Sequence, residues 1–208
     1  MEQRSFSKDN IRVEALIGAV GSEFREHKPV VIPTDTLYGI ACPWRDGECV
    51  KRIMEIKERP EGKTLSVSVA EMDSLRKIAV VNGKWEGLIK GNLPGPVTFV
   101  LKAKKTTPDI FLQDGKIAIR IPESDIVRRI SREFGPLALT SANISGRKGA
   151  RSSSEVIDQL GDREILLIAD DLSVSGDPST IIDVSGDKPL LLRAGNIMMH
   201  EIMGKIDG

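Results

Sequence analysis

The sequence predicts an α/β (α+β-like) protein built on a twisted, mixed, open sheet with helices packed against it. Three observations predict it. Short runs of β-branched residues and leucine, bounded by Pro, Gly or Ser, recur along the chain, as at 30–32, 117–121 and 180–184. Segments with apolar residues at helical spacing lie between many of them. Several strands also follow one another with only turns between, which a strictly alternating strand–helix unit would not do.

Residues 11–26 carry Val13, Leu16, Ile17, Val20 and Phe24 at helical spacing, and Lys28-Pro29 ends that helix and opens a strand at 30–32. Asp46 is placed to cap a helix running to about 57, with Val50, Ile53, Met54 and Lys57 on one face. Pro60 forbids continuation, because the residue before a proline is pushed out of the helical region. Leu65, Val67 and Val69 alternate with serines and predict a strand at 65–69. Short helices are expected at 72–79 and 85–89. Leu93-Pro94-Gly95-Pro96 makes a rigid turn feeding a strand at 97–101, and a further strand at 117–121 stops at Pro122. Ser124 is expected to cap the helix that carries Ile126, Val127 and Ile130, and a strand follows at 137–140. Ser152 and Glu155 have capping-box spacing ahead of Val156, Ile157 and Leu160. The tail predicts strands near 165–169, 180–184 and 189–193, then a short helix at 198–203.

With 208 residues, and with its Gly and Pro scattered singly, the chain fits one domain spanning 1–208. Its 30 basic and 30 acidic side chains cancel, so no global field draws it to nucleic acid or to an anionic membrane. Any anion binding must be local. No apolar stretch approaches the ~20 residues needed to cross a bilayer, and residues 1–8 lack a signal-peptide core, so a soluble, cytoplasmic protein is expected. Cys42 and Cys49, the only cysteines, match neither a metal knuckle nor a redox pair and are expected as reduced, buried thiols. The only histidines, His27 and His200, are expected at the surface. Their scarcity excludes His-rich metal sites and disfavours Ser-His or Cys-His catalysis. Lysines, arginines, hydroxyls and a loosely held magnesium ion remain.

Five groups of residues carry candidate chemistry. In Val30-Val31-Ile32-Pro33-Thr34-Asp35-Thr36-Leu37-Tyr38-Gly39 an apolar strand hands over to hydroxyls and a carboxylate, which reads equally as a pocket at a strand end or as a turn. In Lys57-Glu58-Arg59-Pro60-Glu61-Gly62-Lys63, Lys57 lies on the apolar face of its helix, so its ammonium should emerge at a cleft. The alternative is that these cations only complement the helix dipole. Gly62-Lys63-Thr64 is not a P-loop, since that motif needs glycine where Lys57 stands. Ser141-Ala142-Asn143-Ile144-Ser145-Gly146 offers short donors and close backbone approach to a phosphate, or else a plain turn. Arg120 and Arg193 end two strands with donors suited to carboxylate or phosphate, and Ser179-Thr180 opens another. Arg147, Lys148 and Arg151 follow as a flap over a polyphosphate, a contact for RNA phosphates, or solvated loop charge.

In this order, Pro33-Thr34-Asp35-Thr36-Leu37-Tyr38-Gly39, Lys57-Glu58-Arg59-Pro60, Leu93-Pro94-Gly95-Pro96-Val97-Thr98, Arg120-Ile121-Pro122, the 141–146 stretch, Ser179-Thr180-Ile181-Ile182-Asp183 and Leu192-Arg193-Ala194-Gly195 resemble the YrdC family of threonylcarbamoyl-AMP synthases, in its short single-domain form, over about residues 11–195. The resemblance implies a YrdC-like fold and a nucleotidyltransferase. L-threonine, bicarbonate and ATP would become threonylcarbamoyl-AMP and pyrophosphate, for threonylcarbamoyladenosine in tRNA. By the same resemblance Lys57 and Arg59 would be catalytic, and Lys57, Arg59, Lys63, Ser141, Asn143 and Arg193 would hold ATP. Thr36, Ser68, Arg120 and Ser179 would hold threonine, with Arg120 on its carboxylate. Magnesium would bridge the phosphates with no protein metal site, and the partners would be tRNA or double-stranded RNA and the downstream threonylcarbamoyl-transfer machinery. The chain departs from the family pattern at Thr64, where proline is common, at Ser68, where some relatives have a threonine-contacting histidine, and across 147–151. Two other readings compete: a non-catalytic module that binds double-stranded RNA or tRNA, and a carbamoyl-transfer domain resembling those of hydrogenase maturation factors.

Overall fold

The computed structural model describes residues 2–5, 10–60, 62–161 and 163–205. Positions 1 and 6–8 of the N-terminal reading and Glu61 lie outside them. Seven α-helices are described: α1 (Asn10–Arg25), α2 (Gly47–Ile56), α3 (Met72–Ile78), α4 (Gly83–Asn92), α5 (Asp125–Phe134), α6 (Ser153–Leu160) and α7 (Met199–Met203). The strands are β1 (Glu2–Ser5), β2 (Val30–Ile32), β3 (Gly39–Pro43), β4 (Ser66–Ser68), β5 (Ala79–Val80), β6 (Val97–Ala103), β7 (Lys116–Arg120), β8 (Leu137–Ser141), β9 (Leu166–Ala169), β10 (Thr180–Asp183) and β11 (Leu190–Arg193).

All the strands join one mixed sheet in the order β1-β9-β2-β3-β8-β4-β7-β6-β10-β11, with β5 pairing β6 off the path. β9 runs parallel to β1 and β2, β4 parallel to β7, and β6 parallel to β10, while β3, β8 and β11 pair antiparallel. The mixed sheet is the one expected. β1, β3 and β5 were not foreseen. β3 reads Gly-Ile-Ala-Cys-Pro, a poor intrinsic strand, and exists because β2 and β8 flank it on both sides.

Period-2 alternation gives the sheet two unlike faces. Val67, Phe99, Leu101, Ile117 and Ile119 are buried on one and join Leu75, Ile78, Leu88, Ile89, Ile126, Val127 and Ile130 of α3, α4 and α5 in a single core. At about 1.5–3 kcal/mol for each large apolar side chain taken out of water, this layer contributes strongly to the drive for folding. The residues between them, Ser66 and Ser68, Thr98 and Val100, Ala118 and Arg120, share the opposite face, where the cavity lies.

Local signals act largely as expected. Asp46 caps α2, its carboxylate accepting from Cys49 N at 3.0 Å. Ser152 caps α6 by accepting from Glu155 N, although Glu155 reaches back to Arg151 N rather than to the cap residue, so the capping box is half formed. Ser124 sits at the start of α5 without capping it, because its hydroxyl donates to Pro33 O at 3.3 Å and ties the helix to the strand-end segment instead. Cys42 and Cys49 are buried free thiols, and hydrogen bonding to Cys49 together with burial pushes the Cys42 thiol up. His27 is half exposed and its Nδ1 pairs with Asp46 at 2.8 Å, which raises its pKa. His200 is exposed.

Candidate active site

Residues 33–38 link β2 to β3 in a turn whose Thr34, Thr36, Leu37 and Tyr38 line the cavity, while Asp35 is turned onto Arg120. Thr34 organises the turn: its hydroxyl donates to Leu37 O at 2.7 Å and accepts from Thr36 N at 3.1 Å. Arg120, at the end of β7, then fixes Thr36 and Asp35 by donating to Thr36 Oγ1 at 2.8 Å, to Asp35 Oδ2 at 2.6 Å and to Gly95 O at 2.9 Å. Burial lowers the Arg120 pKa, and Asp35 opposes that shift. Three of the five guanidinium N–H donors are thus committed internally. Tyr38 anchors the far end of the turn, its hydroxyl donating to Asp171 Oδ1 at 2.5 Å and accepting from Asp170 N at 2.8 Å.

The cleft, about 620 Å³, lies over the sheet face that carries Ser66, Ser68, Thr98, Ala118, Leu139 and Ser141 and is closed by the 33–38 turn and the 147–151 loop. Of the expected site residues, Thr36, Arg59, Ser68, Arg120, Ser141, Asn143, Ser179 and Arg193 all line it. Lys57 and Lys63 do not. Lys63 is exposed at the turn that Arg59 holds, where Arg59 donates to Lys63 O at 3.0 Å and to Thr64 O at 2.6 Å. Lys57 is 1% exposed and lies beneath the Ser141–Asn143 loop. Its ammonium donates to Ser141 O at 2.5 Å, to Asn143 O at 2.8 Å and to Asn143 Oδ1 at 3.2 Å, which uses all three donors, and its own carbonyl accepts from Ser145 N at 2.8 Å. The apolar helix face delivers Lys57 to the back of the loop, not to the open cleft. Burial and the charge of Arg59 pull its pKa down to about 7.

The sequence gives no site role to Ser66 and Thr98, since a strand residue's face cannot be assigned before its neighbours are known, and it leaves Thr34 within a segment that reads equally as a pocket or a turn. The serines alternating with Val67 were the available signal. Thr98 Oγ1 and Ser179 Oγ lie 2.9 Å apart, and Arg193 donates to Ser179 O at 2.7 Å and to Ser179 Oγ at 3.0 Å. Ser68 is 1% exposed and its hydroxyl has no protein partner, though it belongs to the cavity wall. Gly195 passes so close to Pro178 and Ser179 that a Cβ there would overlap their backbone.

Six cations, Arg59, Arg120, Arg147, Lys148, Arg151 and Arg193, line the cleft, and no carboxylate does among the described residues. Burial, and after it the charge of Arg120, lower the Arg193 pKa. The described residues contain no cluster of three or more His, Cys, Asp or Glu that could hold a metal ion and no helix long and apolar enough to cross a membrane.

A model of the Sua5/YciO/YrdC family, described as telomere recombination, matches residues 22–195. A Methanocaldococcus jannaschii protein, provisionally named threonylcarbamoyl-AMP synthase, is 37% identical over 185 residues, 86% of either chain. The crystal structure of Pyrococcus abyssi Sua5 complexed with L-threonine superposes with a TM-score of 0.83 at 29% identity, covering 98% of this chain and 61% of that one. The crystal structure of Escherichia coli YciO gives a TM-score of 0.83 at 28% identity and covers 94% of this chain and 96% of that one. By its matched residues, its mixed sheet and its cleft, the chain belongs to the Sua5/YciO/YrdC family.

Proposed function

We propose that the protein is an L-threonylcarbamoyladenylate synthase. One observation carries the reading: within a chain of zero net charge, one cleft gathers six cations and, among the described residues, no carboxylate, beside a wall of hydroxyls that includes the unpartnered Ser68. A polyanion and a small polar amino acid fit that division.

In this reading the threonine amine takes up the carbon of bicarbonate and releases water, giving a carbamate. A carbamate oxygen then attacks the α-phosphorus of ATP, the bond to the bridging oxygen breaks, and pyrophosphate leaves with that electron pair. The protein's work is alignment and charge neutralisation, which needs no histidine. We assign Arg59, Ser141, Asn143 and Arg193 to the nucleotide, and Thr36, Ser68, Ser179 and the uncommitted N–H groups of Arg120 to threonine. Lys57 is assigned a positioning role behind the Ser141–Asn143 loop, and Lys63 no contact. A lining without carboxylates does not suit a protein-held magnesium ion, so the nucleotide is taken to bring its own metal. The product would serve threonylcarbamoyladenosine formation in tRNA, in the cytoplasm, with residues 1–208 acting as one domain.

Incubating the protein with ATP, L-threonine and bicarbonate should release pyrophosphate only when all three are present, with threonylcarbamoyl-AMP detected by mass. Release that is independent of threonine would sink the substrate assignment.

A further inference from the structure

We propose that Arg147 and Lys148 form a fixed shelf that grips the β- and γ-phosphates of the nucleotide and then the departing pyrophosphate. The proposal rests on the nucleotide reading above and assigns its most highly charged part to residues outside the family-matched motifs.

The loop that carries them is pinned by its backbone. Arg147 O accepts from Asn143 Nδ2 at 2.8 Å, Lys148 O from Gln159 Nε2 at 3.0 Å, and Ala150 O from Tyr38 N at 2.9 Å. Ala150 is fully buried, and Gly149 fits so closely that a Cβ there would stand 2.6 Å from Leu37 Cδ1. A loop anchored at three of four consecutive residues is a shelf rather than a flap.

The side chains contrast with this backbone. Arg147 and Lys148 are exposed, line the cleft, and make no ion pair or side-chain hydrogen bond among the described residues. The other cations of the cleft are engaged. Arg59 holds the 63–64 carbonyls, Arg120 holds Asp35 and Thr36, Arg193 holds Ser179, and Arg151 lies 3.9 Å from Asp177. The two uncommitted cations therefore have the most to gain from an anion, and a prearranged backbone lowers the ordering cost of binding it. Asn143 couples the shelf to the Ser141–Asn143 loop, so both would close on one phosphate chain.

Calorimetry of ATP, AMP, pyrophosphate and tRNA on the wild type and on the Arg147→Ala/Lys148→Ala double variant tests this. The double variant should bind ATP and pyrophosphate about 10–100-fold more weakly, the scale of one or two charge-assisted hydrogen bonds, with AMP affinity and the circular dichroism spectrum unchanged. Arg147→Lys with Lys148 intact should keep most of the ATP affinity. Undiminished ATP and pyrophosphate binding by the double variant would overturn the shelf. So would an equal loss of AMP, or a loss confined to tRNA, which would assign these cations to RNA phosphates. If wild-type protein bound neither ATP nor pyrophosphate, the nucleotide reading itself would fail, a different result from any of these.

Discussion

At the scale of single residues, Lys57 and Ser68 carry opposite kinds of information. Lys57 spends three donors on Ser141 O, Asn143 O and Asn143 Oδ1, and its pKa lies near 7 instead of the ordinary lysine value of 10.5. A neutral amine has only two N–H groups, so losing the proton leaves one loop oxygen unpartnered. ATP affinity should therefore fall as pH rises through about 7, and Lys57→Met should be weaker throughout and lose that limb; an unchanged limb in Lys57→Met would rule the group out. Stability moves the other way. Between about 7 and 10.5 the unfolded state binds more protons than the folded one, so this group's contribution to the unfolding free energy rises with pH. Ser68, in contrast, has a buried hydroxyl without a protein partner. Removing an unsatisfied group costs little, so Ser68→Ala should leave the unfolding free energy within about 0.5 kcal/mol of wild type while raising KM for threonine several-fold. A stability loss with unchanged KM would make Ser68 a packing residue. Neither property was legible in the sequence: the helical face placed Lys57 correctly at a buried edge, but the loop it meets lies more than eighty residues on, at Ser141 and Asn143.

At the scale of elements, the fold is legible in the sequence where a segment's own chemistry decides its conformation. β2, β6, β7, β8 and β10 are β-branched or leucine-containing runs closed by turn residues, and each lies within a residue or two of its expected place. β3 was illegible because Gly39, Ala41 and Pro43 do not favour a strand, and the pairing of Ile40 with Val31 and Thr140 supplies what propensity lacks. The candidate site divides the same way. Arg120, Ser141 and Arg193 stand at strand ends and were found, whereas Ser66 and Thr98 lie within or at the start of strands whose cavity-facing side only the assembled sheet defines. The start of α2 gives a test of local chemistry. Asp46 accepts from Cys49 N and pairs with His27, so Asp46→Ala should cost about 0.5–2 kcal/mol in denaturant unfolding, while Asp46→Asn should keep most of the cap. Because Asp46 raises the His27 pKa, the pairing stabilises below the ordinary histidine value and is lost as pH rises through the folded one. Asp46→Asn should abolish that dependence. If Asn and Ala cost the same, the carboxylate is valued for its charge and not for its cap.

At the scale of the molecule, the cleft is assembled by the sheet as a whole. Its wall takes Ser66 and Ser68 from β4, Thr98 from β6, Arg120 from β7, Ser141 from β8, Ile181 from β10 and Arg193 from β11, so no fragment of the sheet offers the site. A ligand that needs all of these binds the folded chain and not the unfolded one, and stabilises it by mass action. At a free ATP concentration of about 100 times Kd the gain is about 2.7 kcal/mol, which for a chain of this length corresponds to a rise in Tm of roughly 5–11 °C. L-threonine held by hydroxyls and part of one guanidinium should give a similar gain at the same multiple of its own Kd. Salt separates the two ligands. The chain has no net charge, so only the local field of the six cleft cations attracts ATP, and this field is screened over about 10 Å at 0.1 M and about 3 Å at 1 M ionic strength. Raising sodium chloride from 0.1 to 1 M at fixed ligand concentration should therefore shrink the ATP-induced rise in Tm by several degrees and change that of threonine much less. Equal salt sensitivity for the two ligands would mean that the cations of the cleft do not divide the site into a polyphosphate end and an amino-acid end.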